Sequence, residues 1–256
     1  MSRYAIYPSL SGVPVFITGG ATGIGAAMVE AFAGQGAIVG HIDLAEDAAA
    51  ELGEAIAEAG HARPWFRKVD VTDVAALKGA IADFAAQAGG LGVLVNNVAN
   101  DTRHDPLETS EESWRKCMAV NLDCAFFASQ QAIELMRVSG KGGSIVNFSS
   151  INAVLGPANM PGYVTAKAGL LGMTKALARE YGVDKIRVNT ILPGWVVTQR
   201  QLDLWLTPEA EAEWMEQVCL KERIEPRDSA NLALFLAADD SRMITNQHFV
   251  IDGGRV

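Results

Sequence analysis

Short apolar runs alternate with amphipathic stretches from one end of the chain to the other. The runs Val13–Thr18, Ile38–Asp43, Trp65–Val69, Val93–Asn96, Ser144–Phe148, Arg187–Leu192 and Phe249–Ile251 are mostly β-branched and almost wholly apolar. That is the pattern of strands buried on both faces. Between them, Gly25–Gly34, Ala45–Ala59, Val74–Ala88, Ser113–Met136, Tyr163–Tyr181 and Ser229–Ala238 carry helical patterns. Strand and helix alternating without a composition break predict the α/β class: one doubly wound, seven-stranded parallel sheet with helices on both faces, in a single domain spanning 1–256. One segment breaks the rhythm. Trp195–Pro226 is longer, rich in Trp, Glu and Gln, and follows the sixth strand. Ligands of such sheets bind beyond the carboxyl ends of the strands, so an insertion at about 195–226 is expected to form a lid or substrate wall.

At 256 residues and 49% hydrophobic, the chain is long and apolar enough for one large core. Its net charge of -9 argues against nucleic acid or an anionic membrane surface as partner. No apolar run approaches the length of a membrane span, and the opening MSRYAIYPSLSG lacks the apolar core of a leader. Three cysteines, Cys117, Cys124 and Cys219, form neither a disulfide framework nor a metal-ligand spacing. An odd count of this kind suits the reducing cytoplasm. His104 has no accompanying ligand pattern, and no metal is expected.

The first strand runs into Thr18-Gly19-Gly20-Ala21-Thr22-Gly23-Ile24-Gly25 and then a helix. Glycines at 19, 23 and 25 allow a tight turn in which backbone N–H groups approach a pyrophosphate, and the helix N-terminus favours the anion. The same glycines also suit a purely structural turn. Asp43 ends the second strand, where a carboxylate can accept hydrogen bonds from adenosine ribose hydroxyls and repel a 2′-phosphate. It can equally start the next helix as a cap. No arginine lies in the 18–25 turn or just after Asp43, which favours NAD over NADP. Asp70 and Val71 close the third strand, and Asn97, Val98 and Ala99 follow the fourth, at the same ligand edge.

Tyr163 and Lys167 are four apart in the helical stretch GYVTAKAGLLGMTKALAREY and so share a face. A neighbouring ammonium is expected to lower the phenol's pKa from its usual value near 10. Ser150, at the end of an apolar strand, can donate to a reacting oxygen. A base, its tuner and an orienting donor suit proton transfer at a hydroxyl.

In this order and spacing the motifs resemble the short-chain dehydrogenase/reductase family over essentially the whole chain. TGGATGIG looks like its cofactor loop, NNVA is similar to its NNAG segment, and Asn121 to its helix asparagine. Ser150 with Tyr163 and Lys167 matches its serine followed by YxxxK, with Ser149 the neighbouring alternative. Pro193-Gly194 and IDGG at 251–254 are also typical. The resemblance implies a Rossmann-type fold, a dehydrogenase with Tyr163 as general base, Lys167 tuning it and holding the nicotinamide ribose, and Ser150 orienting the substrate oxygen. It further implies that Asn121 holds a water linking Lys167 to solvent. Dinucleotide contacts are expected from Gly19, Thr22, Gly23, Ile24, Gly25, Asp43, Leu44, Asp70, Val71, Asn97, Val98, Ala99, Tyr163, Lys167, Pro193, Gly194, Val196 and Thr198. A homotetramer through the helices 113–136 and 163–181 is implied as well, and both carry small and apolar residues on more than one face. One departure stands out: Ala99 replaces the glycine of NNAG, and Asn100 follows.

The substrate must be read from variable positions. Asn100, Asp101, Thr102, Arg103 and His104 form a loop dense in donors and acceptors. Asn152 and Asn159 flank the serine and the tyrosine, and Trp195, Gln199 and Arg200 open the insertion. This mix suits a small polyhydroxylated ligand better than a steroid or long acyl chain. The peripheral runs AIYPSL, NDTRH, GWVVTQRQ, WLTPEAEAEW and CLKERI resemble the sugar 1-dehydrogenases of the family, which implies oxidation of an aldose (galactose, fucose, arabinose or xylose type) at C1 to the lactone. Two other readings stay open: a dehydrogenase of the same fold for a polyol, hydroxy acid or 3-oxoacyl thioester, and a nucleotide-sensing protein without catalysis.

Overall fold

The computed structural model describes residues 4–256. The first three residues of the opening segment lie outside the described residues. Seven parallel strands form one sheet: β1 (Pro14–Thr18), β2 (Ile38–Asp43), β3 (Trp65–Lys68), β4 (Val93–Asn96), β5 (Gly143–Phe148), β6 (Ile186–Pro193) and β7 (His248–Ile251). Their spatial order is β3-β2-β1-β4-β5-β6-β7. The order reverses between β1 and β4, and a crevice opens there at the carboxyl ends.

Strand alternation divides the core into two layers. Val15 and Ile17 of β1, Val93 and Val95 of β4, and Val146 and Phe148 of β5 face one side. There they meet Met28, Val29 and Phe32 of α1 (Gly23–Gly34) and Ala233 and Leu234 of α10 (Pro226–Ala237). Phe16, Leu94 and Ile145 face the other side. They pack with Leu77, Ile81 and Phe84 of α3 (Val74–Ala88) and with residues of α5 (Cys124–Ser139). α2 (Glu46–Glu58) follows β2, and α7 (Pro161–Tyr181) packs on β6.

The predicted helix over 113–136 is longer and is broken into two. α4 (Glu111–Met118) and α5 are joined by a single π turn at Ala119–Asp123. Ser110 starts α4 by accepting from the Ser113 N–H at 3.1 Å, a side-chain cap of the usual kind. α1 likewise begins at Gly23 rather than Gly25. The 195–226 segment folds as two short helices, α8 (Gln199–Leu204) and α9 (Pro208–Gln217), capped by Thr198 and Thr207. A third apolar cluster, with Ile151, Leu192, Val196, Trp214, Val218 and Ile224, fastens this segment to the sheet edge. A short α6 (Asn152–Leu155) precedes α7. Among the described residues no helix is long and apolar enough to cross a membrane.

Candidate active site

The turn after β1 is shaped by backbone needs. Gly19 and Gly23 adopt φ of 68° and 55°, the left-handed region that glycine enters at no steric cost. A Cβ on Gly25 would lie 1.8 Å from the Gly19 carbonyl oxygen, so no side chain fits where the loop crosses the start of α1. Asn97 donates through Nδ2 to the Gly19 carbonyl at 2.8 Å, and its own N–H donates to Thr18 Oγ1 at 3.1 Å. Val98 packs against Gly19. The Asn97 amide and the Val98 side chain therefore shape the loop from below. Thr22 precedes α1 in extended backbone, and Thr198 stands over Gly23 from the far side of the crevice.

Asp43 binds backbone on both sides of its strand end. Its Oδ2 accepts from the Ala21 N–H at 3.0 Å, which ties the acid to the glycine turn, and its Oδ1 accepts from Leu44 and Ala45 N–H at the start of α2. Leu44 beside it is exposed. Asp70 turns its carboxylate onto the N–H and hydroxyl of Thr72, at 2.9 and 2.7 Å. These bonds hold its pKa below the usual carboxylate value. Val71 is buried in the core layer. Both residues stand just beyond the third strand's carboxyl end.

A cleft of about 780 Å³ opens beyond β4, β5 and β6. Ser150, Tyr163 and Lys167 line it together with Ile24, Asn97, Ala99, Pro193, Gly194, Val196 and Thr198. The two adjacent serines have different tasks. Ser149 donates to the Lys167 carbonyl at 2.7 Å and is buried. Ser150 Oγ accepts from the Asn152 N–H at 3.1 Å and is hydrogen-bonded to the Tyr163 phenol. Lys167 Nζ donates to the Phe148 carbonyl at 2.8 Å and lies 5.8 Å from the centroid of the Tyr163 ring.

The tuning of this pair differs from the sequence expectation. Burial pushes the Tyr163 phenol up to about 12, against the hydrogen bond from Ser150, and pushes Lys167 down to about 8. Both groups are nearly dry, and removing water penalises whichever form is charged. Proximity of the lysine alone does not lower the tyrosine.

Asn121 sits in the π turn and is buried. Its Oδ1 accepts from the Asn100 N–H at 2.8 Å, while Nδ2 donates to the carbonyls of Asn100 at 3.2 Å and Cys117 at 3.0 Å. The side chain thus clamps the loop after β4. Ala99, where the resembling motif has glycine, is not among the residues with positive φ, so the replacement brings no backbone strain.

The loop at 100–104 is fixed at both ends. His104 N–H donates to the Asn159 carbonyl at 2.7 Å, and its Nε2 accepts from the Gly162 N–H at 3.4 Å. His104 is a strut and does not line the cleft. Asn159, at φ 61°, and Asn152 do line it. Asp101 and Arg200, both expected to face substrate, line the cleft paired with each other at 3.1 Å. Gln199 is turned away and donates to Asp203 at 2.7 Å. Its place is taken by Gln201, which accepts from Trp195 Nε1 at 2.7 Å and donates to Asp101 Oδ2 at 3.0 Å. Helical geometry explains the exchange: Thr198 sets the first turn of α8, and residue 201, not 199, then faces inward.

Sequence reasoning missed Gln201, Glu213, Trp214 and Arg255 as cleft residues. Trp214 meets Trp195 edge-on at 5.9 Å and carries the Arg255 guanidinium over its ring at 4.7 Å. Arg103 stacks over Trp205 at 3.9 Å. Glu211 pairs with Arg223 at 2.7 Å.

Comparison with known proteins agrees with this geometry. The family model described as "Enoyl-(Acyl carrier protein) reductase" matches residues 19–255. A protein named "Probable galactose dehydrogenase GalD" from Rhizobium meliloti is 46% identical over 248 residues, 97% of this chain and 96% of its own length. A D-xylose 1-dehydrogenase of Caulobacter vibrioides is 43% identical over 250 residues, 98% of each chain. Among solved structures, a short-chain type dehydrogenase/reductase from Mycobacterium marinum superposes with a TM-score of 0.90 at 29% identity, covering 97% of both chains.

Proposed function

This chain belongs to the short-chain dehydrogenase/reductase family and is an oxidoreductase acting on CH–OH groups; from that premise we propose that it oxidises the C1 hydroxyl of an aldose to the aldonolactone with NAD as cofactor. The observation that carries the reading is the convergence of Ser150, Tyr163 and Lys167 on one cleft whose outer wall is polar and aromatic. The curated relatives that act on galactose and D-xylose support the same substrate class.

Tyr163 accepts the proton of the C1 hydroxyl, Ser150 orients that oxygen, and Lys167 stands behind them with its ammonium tethered to Phe148. Bound NAD supplies the hydride acceptor and, as a cation, favours the phenolate. The glycine turn bends through positive φ at Gly19 and Gly23 and runs into the N-terminus of α1, which suits a pyrophosphate. Asp43, held against Ala21 N–H, stands where a ribose would lie and disfavours a 2′-phosphate. Asn152, Asn159 and Gln201 offer partners to ring hydroxyls, and Trp195 offers an apolar face. A wrong epimer would leave such groups unpaired, which is a strong basis for selectivity.

α8 and α9 act as the substrate wall in this reading. The groove formed by Leu122 of the π turn, Phe126 and Phe127 of α5, and Gly169 and Met173 of α7 is the surface through which a homotetramer assembles. A cytoplasmic location accords with three free cysteines. The test is reduced-nicotinamide formation over a panel of aldoses, polyols and secondary alcohols, with NAD and with NADP. Turnover confined to polyols or hydroxy acids would replace the aldose assignment while leaving the dehydrogenase intact.

A further inference from the structure

Asp101 is gripped from the lid by two consecutive residues of α8. Arg200 donates to Oδ1 through Nε at 3.3 Å and through a terminal nitrogen at 3.1 Å, and Gln201 donates to Oδ2 at 3.0 Å. The partners are 99 and 100 residues apart in sequence. The loop carrying Asp101 is itself fixed to the catalytic helix. Asn121 clamps the Asn100 backbone, and His104 accepts from Gly162, the residue just before Tyr163. Asp101 and Tyr163 line the same cleft, so the distance between carboxylate and phenol is set by structure rather than by a swinging loop.

We propose that Arg200 is a positioning residue for the reaction: from the lid it neutralises and turns aside the Asp101 carboxylate, and so keeps a negative charge off the Tyr163 phenol when the base must ionise. This deepens the dehydrogenase reading and rests on Tyr163 being its base. A carboxylate left alone in this cleft disfavours a second anion beside it, and the field of Asp101 does oppose ionisation of Tyr163. The other groups around the phenol are accounted for. Lys167 lies on its own helix, and Cys117 faces it from α4. Arg103 stacks on Trp205, while Glu213 of α9 and Arg255 of the C-terminal turn line the outer cleft. Of these, Arg200 alone pairs with Asp101 among the described residues. Seating of the lid and readiness of the base are thereby linked through one ion pair.

The experiment uses 3-fluorotyrosine incorporated into the full-length protein, with the Tyr163 resonance assigned by Tyr163→Phe. With four tyrosines in the chain, the fluorine spectrum can be followed residue by residue across neutral to alkaline pH. Arg200→Gln should raise the Tyr163 titration midpoint by roughly half a unit, Asp101→Asn should lower it, and the double variant should titrate like Asp101→Asn. The acid limb of kcat/KM on the preferred substrate, which reports ionisation of the base, should move in the same directions. Arg200→Gln titrating like wild type would overturn the proposal. So would a double variant that keeps the Arg200→Gln shift, since arginine would then act on the phenol directly. The titration needs no substrate, so failure of the aldose assignment would appear separately, as an aldose panel without turnover beside the expected shifts.

Discussion

Lys167 Nζ donates to the carbonyl of Phe148, the last residue of β5, at 2.8 Å. The bond joins the catalytic helix to the strand that ends in the serine pair, and it holds an ammonium in a nearly dry setting. Burial pushes this group from 10.5 down to about 8. The unfolded chain keeps its proton up to the normal value, so the folded state pays a cost below about pH 8, and that cost fades as pH rises from there towards 10.5. Lys167→Met should therefore abolish turnover yet stabilise the protein at pH 7. The gain should be about 1–3 kcal/mol after the lost bond to Phe148 is offset. Thermal unfolding of both proteins at pH 7 and pH 10 checks this, with a smaller difference expected at the higher pH.

His41 lies beneath the glycine turn, 1% exposed, with Nδ1 lacking a hydrogen-bond partner among the described residues. Desolvation pushes its pKa from 6.5 to about 4. Between these values the unfolded state binds the extra proton and the folded state does not, so stability is lost as pH falls through that window. The loss is on the order of 3 kcal/mol from this side chain alone. His41→Leu should flatten the acid limb of a melting-temperature profile between pH 6.5 and 4, relative to wild type. Coincident limbs would assign acid sensitivity to the carboxylates instead.

Gly25→Ala would place a methyl 1.8 Å from the Gly19 carbonyl oxygen, a backbone atom that can retreat only by moving the whole turn. Dinucleotide affinity should fall at least ~100-fold, with a destabilisation of about 1–3 kcal/mol from overpacking. Calorimetric titration with NAD and a denaturant melt measure the two effects.

Asp43→Ala removes the charge beside the Ala21 N–H. NADP turnover relative to NAD should rise about tenfold or more. An unchanged ratio in steady-state kinetics would mean that another group sets cofactor choice.

The elements that line the crevice at the strand ends were legible because their signals are local. A glycine turn between strand and helix, an acid at a strand end and a tyrosine four residues before a lysine can each be read within one element. The two buried layers followed from strand alternation for the same reason. The substrate side was less legible. Asp101 and Arg200 were both singled out, yet nothing in the sequence joins residues 99 apart, and each was expected to meet ligand rather than the other. Gln199 and Gln201 are separated by the phase of α8, which depends on the cap at Thr198. The π turn at Ala119–Asp123 leaves no mark in periodicity, although it presents Asn121 to the Asn100 backbone. Arg255 reaches the cleft through the turn held by Asp252, which accepts from Gly254 and Val256 N–H, and only tertiary packing reveals that.

The central claim is that Tyr163 removes a proton from an aldose hydroxyl in an NAD-dependent oxidation. The most direct measurement compares wild type and Tyr163→Phe for reduced-nicotinamide formation on an aldose panel, with NAD affinity measured on both by calorimetry. The account predicts wild-type turnover on one aldose and its near epimers, a loss of at least ~1,000-fold in kcat on removing the hydroxyl, and NAD affinity within a few-fold. Undiminished turnover by Tyr163→Phe would contradict the assignment of the base.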